Sequence, residues 1–191
     1  ATPPKDPSGK DISKVYVSAA GHDLQQLLQK FLLGSVAFSQ GVDDYLDDDT
    51  DGKGLNLQND KGDKDGAAYT SLEHAWDEGF GYFGANQSFG LMTPTEINAE
   101  GVQDINDDGM FDLTSEVVFG SSMTAAKREL ASINQITFVA DAWTGFREGR
   151  ALINSADGAL SGPQLEELKG HRDMALTAWE GAVAATVIHY I

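Results

Sequence analysis

Apolar residues recur at helical spacing in four long stretches of this chain. From about Ala19 to Leu46, Leu24, Leu27, Leu28, Phe31, Phe38 and Val42 share one face, with Ser35 between them. That spacing predicts a long amphipathic helix with its stripe turned to a core. A second pattern runs from about Ser71 to Phe83, with Leu72, Trp76, Phe80 and Phe83 as the stripe. Thr70 precedes it and Glu73 follows three residues later. This is a capping box, in which each side chain accepts the other's exposed backbone N–H. A third pattern spans about Met123 to Ile153, with Leu130, Ile133, Ile136, Ala140, Trp143 and Phe146 at core positions. The fourth begins at Pro163, a good first helical residue, and carries Leu165, Leu168, Leu176, Trp179, Val183 and Val187. A short helix is predicted at Thr93-Pro94-Thr95-Glu96 by a second capping box.

No clean two-residue alternation persists long enough to predict a strand. The expected fold is therefore all-α, a helical bundle of about four long helices with long, glycine-rich loops at 47–68 and 84–114. A single domain is expected over 18–191, after a flexible leader at 1–17 that holds three of the five prolines. The helices show no internal repeat, but the acidic loops at 47–66 and 104–116 resemble each other. Loops of that length inside a compact domain usually have a function or a ligand that orders them.

Charge changes the picture more than hydrophobicity does. Thirty acidic residues face thirteen basic ones, for a net charge of -17. Such a chain lacks the clustered Lys and Arg that contact phosphates, so a nucleic-acid partner is not expected. It is a poor match for an anionic membrane surface. No stretch reaches the ~20 apolar residues of a membrane span. Cysteine is absent, which removes disulfides, thiolate metal sites and a cysteine nucleophile. The acids must be offset by bound cations, by a salty environment, or serve solubility.

The sharpest motif lies in the second loop. Asp104, Asn106 and Asp108 alternate and are followed by Gly109. Calcium takes six to eight oxygens, and short acids at alternate positions of a tight loop aim several of them at one centre. Met110 would add a backbone carbonyl, and Asp112 stands at the ninth position. The acid expected at position twelve arrives one residue late, as Glu116. A loop bulged by one residue would restore it as the bidentate ligand. The bland alternative is a solvated acidic turn. In the first loop Asp47, Asp49, Asp51 and Gly52 repeat the spacing, and Asp60, Asp63 and Asp65 follow, with Glu73 in the same late position as Glu116. These acids predict either two ions or one shared ion, so one to three calcium ions are expected in all. Here too the alternative is a solvated acid run.

Glu73, His74, Asp77 and Glu78 form a further candidate, since a histidine beside carboxylates suits iron, copper or zinc. The ExxH spacing of metal-binding bundles is absent, and Glu73 already has its capping role. Of the other histidines, His22, His171 and His189, any could complete a site with His74, but His22 and His189 read most simply as surface or boundary residues. No nucleophile elbow, HExxH, P-loop or dinucleotide glycine pattern occurs, so no familiar enzyme is expected.

The segment from Tyr69 through Glu73-His74-Ala75-Trp76-Asp77-Glu78 to Gly84 resembles an uncharacterised domain family of exported bacterial proteins, often lipoproteins. So do Leu27–Val36, Ala126–Leu130 and the ending Trp179–Ile191. The resemblance covers most of 20–191 and implies export, to the periplasm, the cell surface or beyond. It carries no established activity. Members are longer at the N-terminus, so the resemblance implies a C-terminal half or a processed form. The family is loosely similar to imelysin-like helical proteins tied to metal uptake, whose GxHxxE motif this chain lacks. Taken together, the expectation is an exported, calcium-binding helical domain that acts by binding a protein partner or another copy of itself. The rivals are a periplasmic metal-handling protein or imelysin-like hydrolase built on the Glu73 cluster, and an acidic domain from a salt-loving organism with empty loops.

Overall fold

A computed structural model describes residues 5, 7–11, 16–62 and 64–189. Asp63 and most of the expected leader lie outside the described residues. The fold is all-α. Among the described residues extended pairing is confined to isolated bridges, of which Val102 with Val117 closes the second acidic loop.

Helix α1 is Leu24–Phe31, opened by the Asp23 carboxylate, which accepts from the Gln26 amide at 3.2 Å. The chain continues through wider π-helical turns over Leu32–Phe38 and Gln40–Tyr45. This corrects the expected core stripe. Leu24, Leu27, Leu28 and Phe31 are each half exposed or more, with Leu28 at 58%. The main contacts of α1 are with the π-helical turns that follow it, not with the bundle. Periodicity reports an apolar face but not whether another element covers it. Packing begins further on, where Phe38 meets Trp179 edge-on at 5.3 Å.

Helix α2, Ser71–Phe83, starts at the predicted capping box and ends at Gly84 in the left-handed region. Both halves of the box form: the Thr70 hydroxyl accepts from the Glu73 amide at 3.0 Å, and the Glu73 carboxylate accepts from the Thr70 amide at 2.8 Å. Helix α3, Pro94–Ala99, uses the same device with Thr93 and Glu96.

The predicted third helix is two helices, α4 over Gly120–Ala131 and α5 over Phe138–Ser155. Ser132 turns extended, and its hydroxyl accepts from the Asn134 amide at 3.1 Å, a side-chain turn that competes with the helix ladder. Glu129 then caps α5 by accepting from the Val139 amide at 2.8 Å. Burial raises its pKa despite that bond. Leu130 and Ile133, placed in the core by periodicity, are exposed because the break turns them outward, and Ala140 is exposed too.

Helix α6, Gly162–His189, returns along α5 after the connection 156–161. Its start is marked by Ser161, whose amide and hydroxyl both reach the Gln164 side chain. The α5–α6 pair is the most extensive in the molecule. Small residues make it close: Ala142 and Gly145 on α5 are buried, as are Ala175, Ala178 and Ala182 on α6. Around this pair sit Trp76, Phe83, Phe89, Phe146 and Trp179, all buried. Trp76 donates its indole N–H to the Phe146 carbonyl at 2.8 Å. A Cβ on Gly149 would lie 2.1 Å from the Trp76 ring, so glycine there lets α2 seat against α5.

Candidate metal centre

The 104–116 segment leaves α3 through Gly101 and returns to α4. Its ends are tied by hydrogen bonds from the Gln103 amide to the Glu116 carbonyl, 3.1 Å, and from the Val118 amide to the Gly101 carbonyl, 2.6 Å. Asp107 and Gly109 adopt φ of 56° and 79°, a left-handed pair that folds the chain back on itself. Aspartate tolerates this region and glycine enters it freely.

The turn brings side chains together. The Asp108 amide donates to Asp104 Oδ1 at 3.1 Å and to Asn106 Oδ1 at 3.0 Å. Asp104 Oδ2 accepts from the Gly109 amide at 2.8 Å. Asn106 Nδ2 donates to Asp108 Oδ2 at 3.1 Å, and Asp108 Oδ1 accepts from Met110. Glu116 lies beneath, only 2% exposed. One of its oxygens accepts from Ile105 at 2.8 Å and Asn106 at 3.4 Å, and the other from Asp112 at 2.9 Å. Asp112 turns to the Thr114 amide and hydroxyl, which lower its pKa. Among the described residues no basic side chain pairs with any acid of this loop. Nor, among them, are three acidic or histidine side chains gathered closely enough to hold an ion.

The first loop is built differently. Arg172 on α6 donates to the Leu46 carbonyl at 2.9 Å and to Asp48 at 3.0 Å. Lys169 stands 3.5 Å from Asp48, and Lys53 pairs with Asp44. Arg172, with Lys169, lowers the Asp48 pKa. Asp47 is lowered to about 2, first by the Thr50 hydroxyl and then by the Asp49 amide, against burial. Its Oδ2 is buried with no hydrogen-bond partner among the described residues. Asp49 and Asp51 are exposed.

Asp60 and Asp65 are also exposed. This second half of the loop is anchored through buried Asn59, whose amide donates to the Ile153 and Gly158 carbonyls and whose oxygen accepts from Thr70. The two acid clusters thus rest on different elements. Glu73 shares little with Glu116: one oxygen takes the Thr70 amide and the other Arg150 at 3.0 Å. Arg150 also donates to Asp77 at 2.8 Å. His74 lies 3.9 Å from Glu78 and stacks on Tyr69. The four residues of the rival site are thereby split into two unrelated pairs.

A family model described as a domain of unknown function, DUF4856, matches residues 7–171. The chain belongs to the DUF4856 family. No curated protein and no solved structure matches it. In this DUF4856 domain no helix of the described residues is long and apolar enough to cross a membrane.

Sequence reasoning missed the basic partners. Lys169 and Arg172, three apart on α6, and Arg147 and Arg150, three apart on α5, are spaced to share a helix face. In a chain with only thirteen basic residues, that spacing was the available signal.

Proposed function

We propose that the loop from Asp104 to Glu116 binds a calcium ion, and that this DUF4856 domain is an exported, calcium-stabilised helical module that works by binding. The observation that carries the reading is the convergence of Asp104, Asn106 and Asp108 on one turn above a buried Glu116, with no basic side chain paired to them among the described residues. Hard oxygen donors of this kind fit calcium. Asp104, Asn106, Asp108, Asp112, Glu116 and the Met110 carbonyl would hold the ion, which would compete with backbone amides for Glu116. The partnerless Asp47 Oδ2 supports a further cation in the first loop, beside Asp49 and Asp51.

Calcium here acts as a clamp on the loop, not as a signal. The clamped loop carries Met110, Phe111 and Leu113 into solvent, Leu113 at 78% exposure, where a protein partner or a second copy could meet them. Outside the cell, sites of ~10⁻⁴–10⁻³ M would still fill. A transition-metal or hydrolytic role for the Glu73, His74, Asp77 and Glu78 group draws no support from its contacts, because Arg150 occupies two of its acids.

The test is thermal unfolding with calcium and with chelator. At calcium about 100-fold above Kd, the stabilisation is about 2.7 kcal/mol, which raises Tm by roughly 5–10 °C in a chain of this size. Asp104→Asn and Asp108→Asn should remove most of that rise. A midpoint indifferent to calcium would sink the reading.

A further inference from the structure

A cleft of about 480 Å³ opens between α2 and α5, and its lining takes no residue from the acidic loops at 47–66 and 104–116. Its size falls within the range of small-molecule sites, roughly 300–1,000 Å³. The floor is aromatic. Trp76 and Phe146 are buried, and Phe80 lies edge-on to Phe146 at 5.3 Å and tilted to Trp143 at 6.1 Å. Trp76 has given its indole N–H to the Phe146 carbonyl, so it brings no free polar group to the cleft.

The rim is polar, with two arginines and one aspartate, and each of these charges is paired. Arg150 is fixed by Asp77 and Glu73 on α2. Arg147, one turn earlier, is tied among the described residues only to its neighbour Glu148, a solvent-facing pairing that constrains it little. The exposed side chains of Gln87 and Asn154 complete the rim, each able to donate and accept. An anionic ligand would face Asp77 and the acid behind it. A cationic ligand would face two guanidinium groups. A neutral ring bearing hydroxyls meets neither penalty: its hydroxyls donate to Asp77, accept from Arg147, and do both with the amides. Its C–H face lies against Phe80 and Trp143, the half-buried rings of the cleft.

We propose that this cleft is a binding site for a neutral saccharide. The proposal does not rest on calcium. It follows from an apolar patch bordered by both donors and acceptors, the combination that suits a molecule apolar on its faces and polar around its edge.

The experiment is NMR titration of the indole N–H resonances of Trp143 and Trp76 in the full chain. The probes are maltose, cellobiose and N,N′-diacetylchitobiose, with benzoate and benzyltrimethylammonium as charged aromatic controls. At least one disaccharide should shift both resonances, with Kd of about 1 mM. Asn154→Ala and Gln87→Ala alter exposed side chains and should each weaken it about five- to tenfold, the loss of one or two hydrogen bonds. Trp143→Phe should weaken it too. The proposal is overturned if no disaccharide moves either indole, if benzoate or benzyltrimethylammonium moves them instead, or if the Asn154 and Gln87 variants bind as the parent does.

Discussion

Around Asp47 three basic side chains meet the acids; around Asp104, among the described residues, none does. The run from Asp43 to Asp51 carries six acids, and Lys53, Lys169 and Arg172 reach into it, two of them from α6. The loop from Asp104 to Glu116 carries five acids, of which Asp104, Asp108, Asp112 and Glu116 accept from its own amides and the Thr114 hydroxyl. The first loop is therefore pinned to the bundle by the protein's own cations. The second is organised from within, around one buried carboxylate. Two segments that look alike in sequence thus place different demands on solution: the first should be largely indifferent to calcium at Asp48, and the second should depend on it.

The sharpest way to break this contrast is at Glu116. It accepts three backbone amides and is almost fully buried. Glu116→Ala removes every acceptor at once and leaves donors without partners, at a cost of about 3 kcal/mol. Urea unfolding should show that loss, and calcium should recover little of it because a ligand has gone too. Glu116→Gln keeps the shape and one acceptor and should fall between. If Glu116→Ala unfolds at the parental urea concentration, the loop is not organised around that carboxylate.

Arg172 is the matching point in the other loop. Its guanidinium, mostly buried, joins the Leu46 carbonyl and Asp48 to α6. Arg172→Met keeps the aliphatic stem but breaks both bonds, and should cost about 2 kcal/mol. The informative feature is its independence: the loss should be equal in calcium and in chelator. A loss that calcium reverses would mean that an ion can stand in for Arg172 in the first loop, and the contrast between the loops would fail.

How much of this was legible in the chain depends on the range of the interaction. The capping boxes at Thr70–Glu73 and Thr93–Glu96 are local, and α2 and α3 begin where they predict. The alternation of Asp104, Asn106 and Asp108 before Gly109 is local as well, and the turn they form is there. The break at Ser132 was also local, but its signal, a serine and an asparagine two apart, was outweighed by apolar periodicity running through it. Exposure of Leu24, Leu27, Leu28 and Phe31 was not legible, because an amphipathic pattern does not say what lies opposite it. Nor was the pairing of Arg172 with Asp48, separated by 124 residues. Glu73 shows the limit best: its place in a spacing suggested a ligand, while its actual partner, Arg150, lies 77 residues away.

Acid titration makes the finest cut between the loops. In the folded protein Asp47 titrates at about 2, below its ordinary 3.8. A depressed carboxylate contributes its stability in full above the unfolded value and loses it as pH falls through the folded one. The Asp47 contribution is thus complete above pH 3.8 and fades toward pH 2. Asp112 in the second loop is also lowered, by the Thr114 amide and then its hydroxyl. Its carboxylate is exposed, however, so water and salt screen what those bonds gain. Asp47→Asn should therefore flatten the fall in Tm between pH 3.8 and about 2, while Asp112→Asn should leave that slope nearly unchanged. Equal slopes for the parent and Asp47→Asn would mean that Asp47 is no more constrained than a solvated acid. The buried, partnerless oxygen of Asp47 would then be no argument for a cation in the first loop.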